Sequence, residues 1–169
     1  INLVPLATFA METYKDDECK EFLPKLSGGA AAMDEKTQRL TSQMHKAIAV
    51  IQFKLESQLF KKHPEWKMKG RCLFDHIDYK KGKVEIDGKE YDMTSCHFPT
   101  IDPNNPDKLS EEEEILIHKL HHSFMVCEKL HKHIKVMLQH GCMYAIFNNN
   151  LLFHASCPLN EDGSLKEVE

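Results

Sequence analysis

The stretch DEKTQRLTSQMHKAIAVIQFKLESQLFKK, residues 34–62, carries the clearest period in the chain. Leu40, Met44, Ala47, Ile48, Ile51, Leu55 and Leu59 recur at spacings of three and four, which predicts one long amphipathic helix with that stripe turned to a core. Asp34 and Glu35 suit the positive end of its dipole, Lys61, Lys62 and His63 the negative end, and Pro64 stops it. Upstream, Pro5 opens a second helical stretch over residues 5–23, with Leu6, Phe9, Ala10 and Thr13 on one side and Ser27-Gly28-Gly29 closing the segment.

Downstream the period changes. Leu73-Phe74, Ile77 and Tyr79, then Val84 and Ile86, then Tyr91 predict three short strands within residues 72–93. Lys81-Gly82 makes the first turn. Asp87-Gly88 makes the second, because both positions tolerate positive φ. Residues 99–109 hold three prolines and two asparagines and read as a loop. Ser110, followed by four glutamates, starts another helix: the Ser110 hydroxyl caps a free N–H while Glu113 reaches back. Leu116, Leu120, Phe124, Cys127, Leu130, Ile134 and Met137 keep one face apolar as far as His140, and Gly141 ends the helix. Residues 143–147 and 151–154 form a β-hairpin across three asparagines, and Asn160-Glu161-Asp162-Gly163 is a polar turn.

The fold class is therefore α+β: long amphipathic helices with a small inserted β-meander, ending in a β-hairpin. Residues 1–140 form the helical segment with the meander at 72–93, and residues 141–169 the hairpin and its loop.

Composition limits the function. The 169 residues hold 22 Lys+Arg against 26 Asp+Glu, a net charge of −4, with 41% apolar residues. This is globular composition without the broad basic stripe of a general nucleic-acid binder. No apolar run approaches the ~20 residues of a bilayer span. The start, Ile1-Asn2-Leu3-Val4-Pro5, has neither an initiator Met nor a signal-peptide flank, so the chain reads as an excised piece. Six cysteines are scattered without a C-x-x-C pair, which predicts free, mostly buried thiols in a reducing compartment; Cys142 and Cys157 fall on two expected neighbouring strands and could face each other. Lys61, Lys62, Lys67, Lys69 and Arg71 form a local basic cluster that reads as solvated surface.

Eleven histidines are an excess. His118 and His122 stand four apart, adequate for two metal ligands, but no Glu between them completes a metalloprotease pattern. His131, His133 and His140 suit a helix C-terminus. His154 ends an apolar strand and is followed by small residues, Ala155-Ser156-Cys157, which leave room for an ion and a phosphate.

Residues 150–164, NLLFHASCPLNEDGS, closely resemble the class III fructose-1,6-bisphosphatases of bacteria, as does residues 123–133, SFMVCEKLHKH. The opening 14 residues and residues 46–56 resemble the same family. The resemblance implies a calcineurin-like metallophosphoesterase that hydrolyses fructose 1,6-bisphosphate to fructose 6-phosphate and phosphate in gluconeogenesis, in the cytoplasm, with manganese as its metal. It implies that the closing hairpin belongs to a metallophosphoesterase core and that His154 is a metal ligand, with Ala155 where the superfamily usually has Gly. Lys129, His133, Asn160 and Glu161 are nearby polar candidates for substrate contact. The superfamily's other metal motifs do not occur in these residues, so the dinuclear site is incomplete and the segment alone is expected to be inactive. Its partners would be fructose 1,6-bisphosphate, the remaining segments of the parent enzyme and further copies of itself, with no nucleic acid and no membrane. The insertion would serve as a lid or an oligomer interface. Two other classes compete: a helical interaction or regulatory module, and a stand-alone Cys/His metal protein.

Overall fold

The computed structural model describes residues 1–25 and 33–167. Ser27-Gly28-Gly29 lies outside the described residues. The chain forms two compact units, residues 1–126 and 127–169.

The first unit is built on three helices. Helix α1 (Val4–Thr13) has Pro5 in its first turn and buries Leu6, Phe9 and Ala10. It is shorter than the stretch predicted over residues 5–23. Asp17 Oδ1 accepts the Cys19 N–H at 2.8 Å and Cys19 takes a left-handed conformation, so local side-chain bonding replaces the helical ladder. Only a 3-10 turn at Lys20–Phe22 follows.

Helix α2 (Glu35–Lys62) matches the predicted limits, with the Asp34 side chain accepting the Thr37 N–H. Its buried face departs from the predicted stripe. Ala47 and Ile51 are buried, but Leu55 and Leu59 are exposed, while Lys46, Lys54 and Ser57 face inward. Periodicity counts Lys as a surface residue, and here two buried lysines meet carboxylates instead, Lys46 the partly buried Asp17 and Lys54 the buried Glu113. Helix α3 (Glu111–Met125) starts with the predicted capping box: Ser110 Oγ accepts the Glu113 N–H, and the Ser110 N–H donates to Glu113 Oε2. Leu6, Phe9, Ala10, Tyr14, Ala47, Ile51, Leu116 and Leu120 form the core that unites α1, α2 and α3.

The meander is antiparallel: β1 (Ile77–Asp78), β2 (Lys83–Ile86) and β3 (Lys89–Asp92). Ile77 pairs with Val84, and Val84 in turn with Tyr91. Asp87 and Gly88 both take positive φ at the second turn, as the hairpin requires. Leu73-Phe74 is a 3-10 turn rather than the start of a strand. Phe74 is buried edge-on against Phe53 and Phe98, which fixes the segment through side-chain packing and leaves no ladder there.

The single helix predicted to run to His140 is two helices. Helix α3 stops at Met125, and α4 (Glu128–His140) begins the second unit. The break falls at Val126 and Cys127, both weak helix formers, and the apolar spacing runs through it unchanged. Gly141 ends α4, though not through positive φ: its N–H donates to the Met137 carbonyl at 2.7 Å, and a Cβ there would collide with that oxygen. The hairpin follows as predicted. Strand β4 (Tyr144–Phe147) pairs with β5 (Asn150–Phe153), with Asn148 and Asn149 at positive φ between them. All six cysteines are free thiols; Cys19 and Cys72 are buried, Cys142 and Cys157 exposed. Among the described residues no helix is long and apolar enough to cross a membrane.

Candidate functional site

The candidate residues lie in the second unit. Strand β5 delivers His154 directly after Phe153, exposed, in a bend. Lys129 and His133 stand four apart on α4, hence on one face, and both are exposed. Asn160 and Glu161 sit in a turn closed by bonds from the Asn160 N–H to the Ser164 carbonyl and from the Gly163 N–H to the Asn160 carbonyl, both 2.9 Å. Asn160 is partly occupied there: Nδ2 donates to Ser164 Oγ at 3.0 Å and more weakly to the Leu165 carbonyl at 3.4 Å. Asp162 Oδ1 accepts both the Ser164 hydroxyl and the Ser164 N–H, and these bonds hold its carboxyl below the usual range. The turn is thus a rigid mount with the Glu161 carboxylate exposed at its tip.

The donor set answers the question of a metal. Among the described residues no group of three or more His, Cys, Asp or Glu side chains is placed to hold an ion. A dinuclear centre needs several ligands to each metal. His154 alone could offer at most one, so the described residues do not fit such a centre by themselves. His118 and His122 line one open cleft of about 650 Å³ with Lys119 and Ser123, again without a third donor.

The sequence reading missed a pair of buried ionic clusters in the first unit. Lys46 is 2% exposed, and its Nζ donates to Asp17 Oδ2 at 2.6 Å while lying over the rings of Tyr14 and Phe98 at 5.4 and 5.5 Å. His97 Nδ1 stands 3.0 Å from the same carboxylate oxygen. Burial works against ionisation of Asp17, yet hydrogen bonds from Lys46, the Cys19 N–H and His97 hold it well below the usual carboxylate range. Burial, with help from Asp17, pushes the Cys19 thiol up to about 11. The second cluster is deeper: Lys54 Nζ donates to Glu113 Oε2 at 2.7 Å and to the Thr100 carbonyl at 2.6 Å, with the two side chains 0% and 1% exposed. One carboxylate therefore caps α3 and neutralises a lysine of α2. Lys46 and Lys54 sit eight residues apart on one long helix, and both are buried. Within the basic cluster, which is exposed, Lys61 bridges Asp75 and Asp107, and Arg71 lies over the Phe60 ring.

Comparison with known proteins adds the family. The model of the Firmicute fructose-1,6-bisphosphatases matches residues 1–169. The chain is 55% identical over 168 residues to the fructose-1,6-bisphosphatase class 3 of Parabacteroides distasonis, 52% to that of Bacteroides fragilis and 50% to that of Clostridium novyi. Each match covers 99% of this chain and 25% of the relative, so the chain spans about a quarter of the length of these relatives. No solved structure matches it. A match that runs from the first residue to the last places this chain in the Firmicute fructose-1,6-bisphosphatase family.

Proposed function

We propose that the chain is a segment of an enzyme that hydrolyses fructose 1,6-bisphosphate to fructose 6-phosphate and phosphate in gluconeogenesis. The observation that carries this reading is the match along the whole chain at half identity or better to relatives of that name. In this reading the β4–β5 hairpin belongs to a metallophosphoesterase core, and His154 contributes one ligand to a manganese site. The other donors come from polypeptide that the relatives carry beyond the matched quarter, and the enzyme works in the cytoplasm, as a homo-oligomer.

The candidate substrate contacts divide by chemistry. Lys129 and His133 offer N–H donors to phosphoryl oxygens. An ionised Glu161 repels phosphate but accepts from sugar hydroxyls, and Asn160 contributes through the turn that it stiffens. The apolar exposure of the second unit supports a segment that packs on further polypeptide: Leu138 is 80% and Met143 94% exposed.

The test is a chimera in which this chain replaces the matching segment of the Parabacteroides distasonis relative. Phosphate release from fructose 1,6-bisphosphate with Mn²⁺ is expected from the chimera and absent from the chain alone. His154→Ala in the chimera should lower kcat by about 100-fold or more and reduce bound manganese, since even outer partners of a metal ligand cost about 10–100-fold. Full activity in that variant refutes the ligand assignment. A folded but inactive chimera favours an interaction module instead.

A further inference from the structure

Between α2 and the meander lies a space of about 240 Å³ in which every lining residue is apolar. Its shape follows from the sequence. Ala49 and Phe53 face it from α2 one turn apart, and Ala49, ending at Cβ, leaves room that a larger side chain would fill. Val84 approaches from β2 and Met93 from the residue after β3. Three rings form one wall. Phe74 meets Phe53 edge-to-face at 5.9 Å and 77°, and meets Phe98 at 5.8 Å and 63°. Phe98 is fixed further by the Lys46 ammonium 5.5 Å from its centroid.

An apolar cavity of about 150 Å³ stays dry and takes up benzene. This one is larger and open on one side, and its walls lack the van der Waals partners that a filled interior provides. The ring wall continues naturally with another aromatic edge or face. No lining residue carries a polar side chain, so a guest's charge or hydroxyl turned toward the walls would be stranded. We propose that this space is a binding site for a compact, uncharged aromatic molecule seated on the Phe53–Phe74–Phe98 wall, a role separate from phosphate ester chemistry.

Toluene is the probe, titrated into the whole chain labelled with ¹³C at the methionine methyls. Of eight methionines only Met93 lines the space, so the other seven are internal controls. Saturable movement of the Met93 methyl alone is expected. Phenol, of similar shape, should bind at least about fivefold more weakly, because its hydroxyl finds no partner. Ala49→Phe fills the space and should abolish the Met93 response while the protein stays folded; Val84→Phe serves the same purpose if that variant fails to fold. An unresponsive Met93, equal binding of phenol, or a response that survives in a folded, filled variant would each overturn the proposal.

Discussion

The two units bury very different things. The first, residues 1–126, buries a whole ion pair, Lys54 with Glu113, beside its apolar core. The second, residues 127–169, buries none of its described residues, although Ile134, Met137, Leu138, Ile146, Phe147, Leu151 and Phe153 are all apolar. A charge buried with its partner requires walls already in place, because desolvation of an unpaired ion costs several kcal/mol. A helix and a two-stranded hairpin with nothing covering their apolar faces are marginal in water. The contrast separates a unit that supplies its own interior from one whose described residues build none.

Hydrogen exchange on the chain by itself should show this contrast at its largest. We expect amides in the middle of α2 to be protected by the global stability of the first unit. Those of α4 and β4–β5 should open locally at much lower free energy, a difference of several kcal/mol. Equal protection in the two units would break the comparison. In the chimera the second unit should gain protection and the first should change little.

Next in size is the Lys54–Glu113 pair. Glu113→Ala leaves a buried ammonium with only the Thr100 oxygens and removes half of the α3 cap, and should cost about 3–5 kcal/mol in urea unfolding. The double variant Lys54→Met, Glu113→Leu should recover most of that loss, because it strands no charge. If the double variant is as unstable as the single one, the pair serves chiefly through the cap and not through charge compensation.

Much of this architecture was legible in the sequence. Capping and turn chemistry are local, so Asp34, the Ser110–Glu113 box, Asp87-Gly88 and the Asn148–Asn150 hairpin all appear where their residue types place them. Periodicity also found α2, but it turned the C-terminal half of that helix the wrong way. Whether Lys54 is buried depends on Glu113, 59 residues away, and no local pattern records that. The break at Val126–Cys127 escaped for a related reason: both flanking helices keep a three-and-four spacing, so the stripe is continuous although the backbone is not. His154 could be singled out as a histidine at a strand end, but the role proposed for it came from resemblance, since the donors that would make it a ligand are not assembled among the described residues.

The Asp17 cluster sharpens the comparison through pH. Its carboxyl is held well below the ordinary value, so the stability it confers is complete above about pH 4 and is lost progressively as pH falls through and below that range. Asp17→Asn should flatten this acid limb of the unfolding curve, while second-unit exchange rates respond little. Cys19 works in the opposite direction: a thiol raised to about 11 favours the folded state until the pH passes its unfolded value near 8.5, and the gain drains away toward pH 11. At pH 8 a disulfide-exchange reagent should modify Cys142 and Cys157 at once, and Cys19 and Cys72 only on unfolding. Rapid reaction at Cys19 would show that the core of the first unit opens as easily as the second.

The smallest effect concerns the two tight turns, one in each unit. Both place two residues at positive φ, but the meander uses Asp87-Gly88 where the hairpin uses Asn148-Asn149. An Asn tolerates this geometry with a penalty that Gly escapes, so Asn149→Gly should relieve about 1 kcal/mol or less. In the first unit the sheet has three strands and joins the packed segment around Phe74, so a turn is one contribution among many. In the second, the turn is a large share of what holds β4 to β5, so the same relief should raise exchange protection of the Ala145 and Leu152 amides measurably. Should Asn149→Gly leave these amides unchanged, the register of the hairpin is set by its apolar side chains, and the exposed second unit holds more structure of its own than its burial suggests.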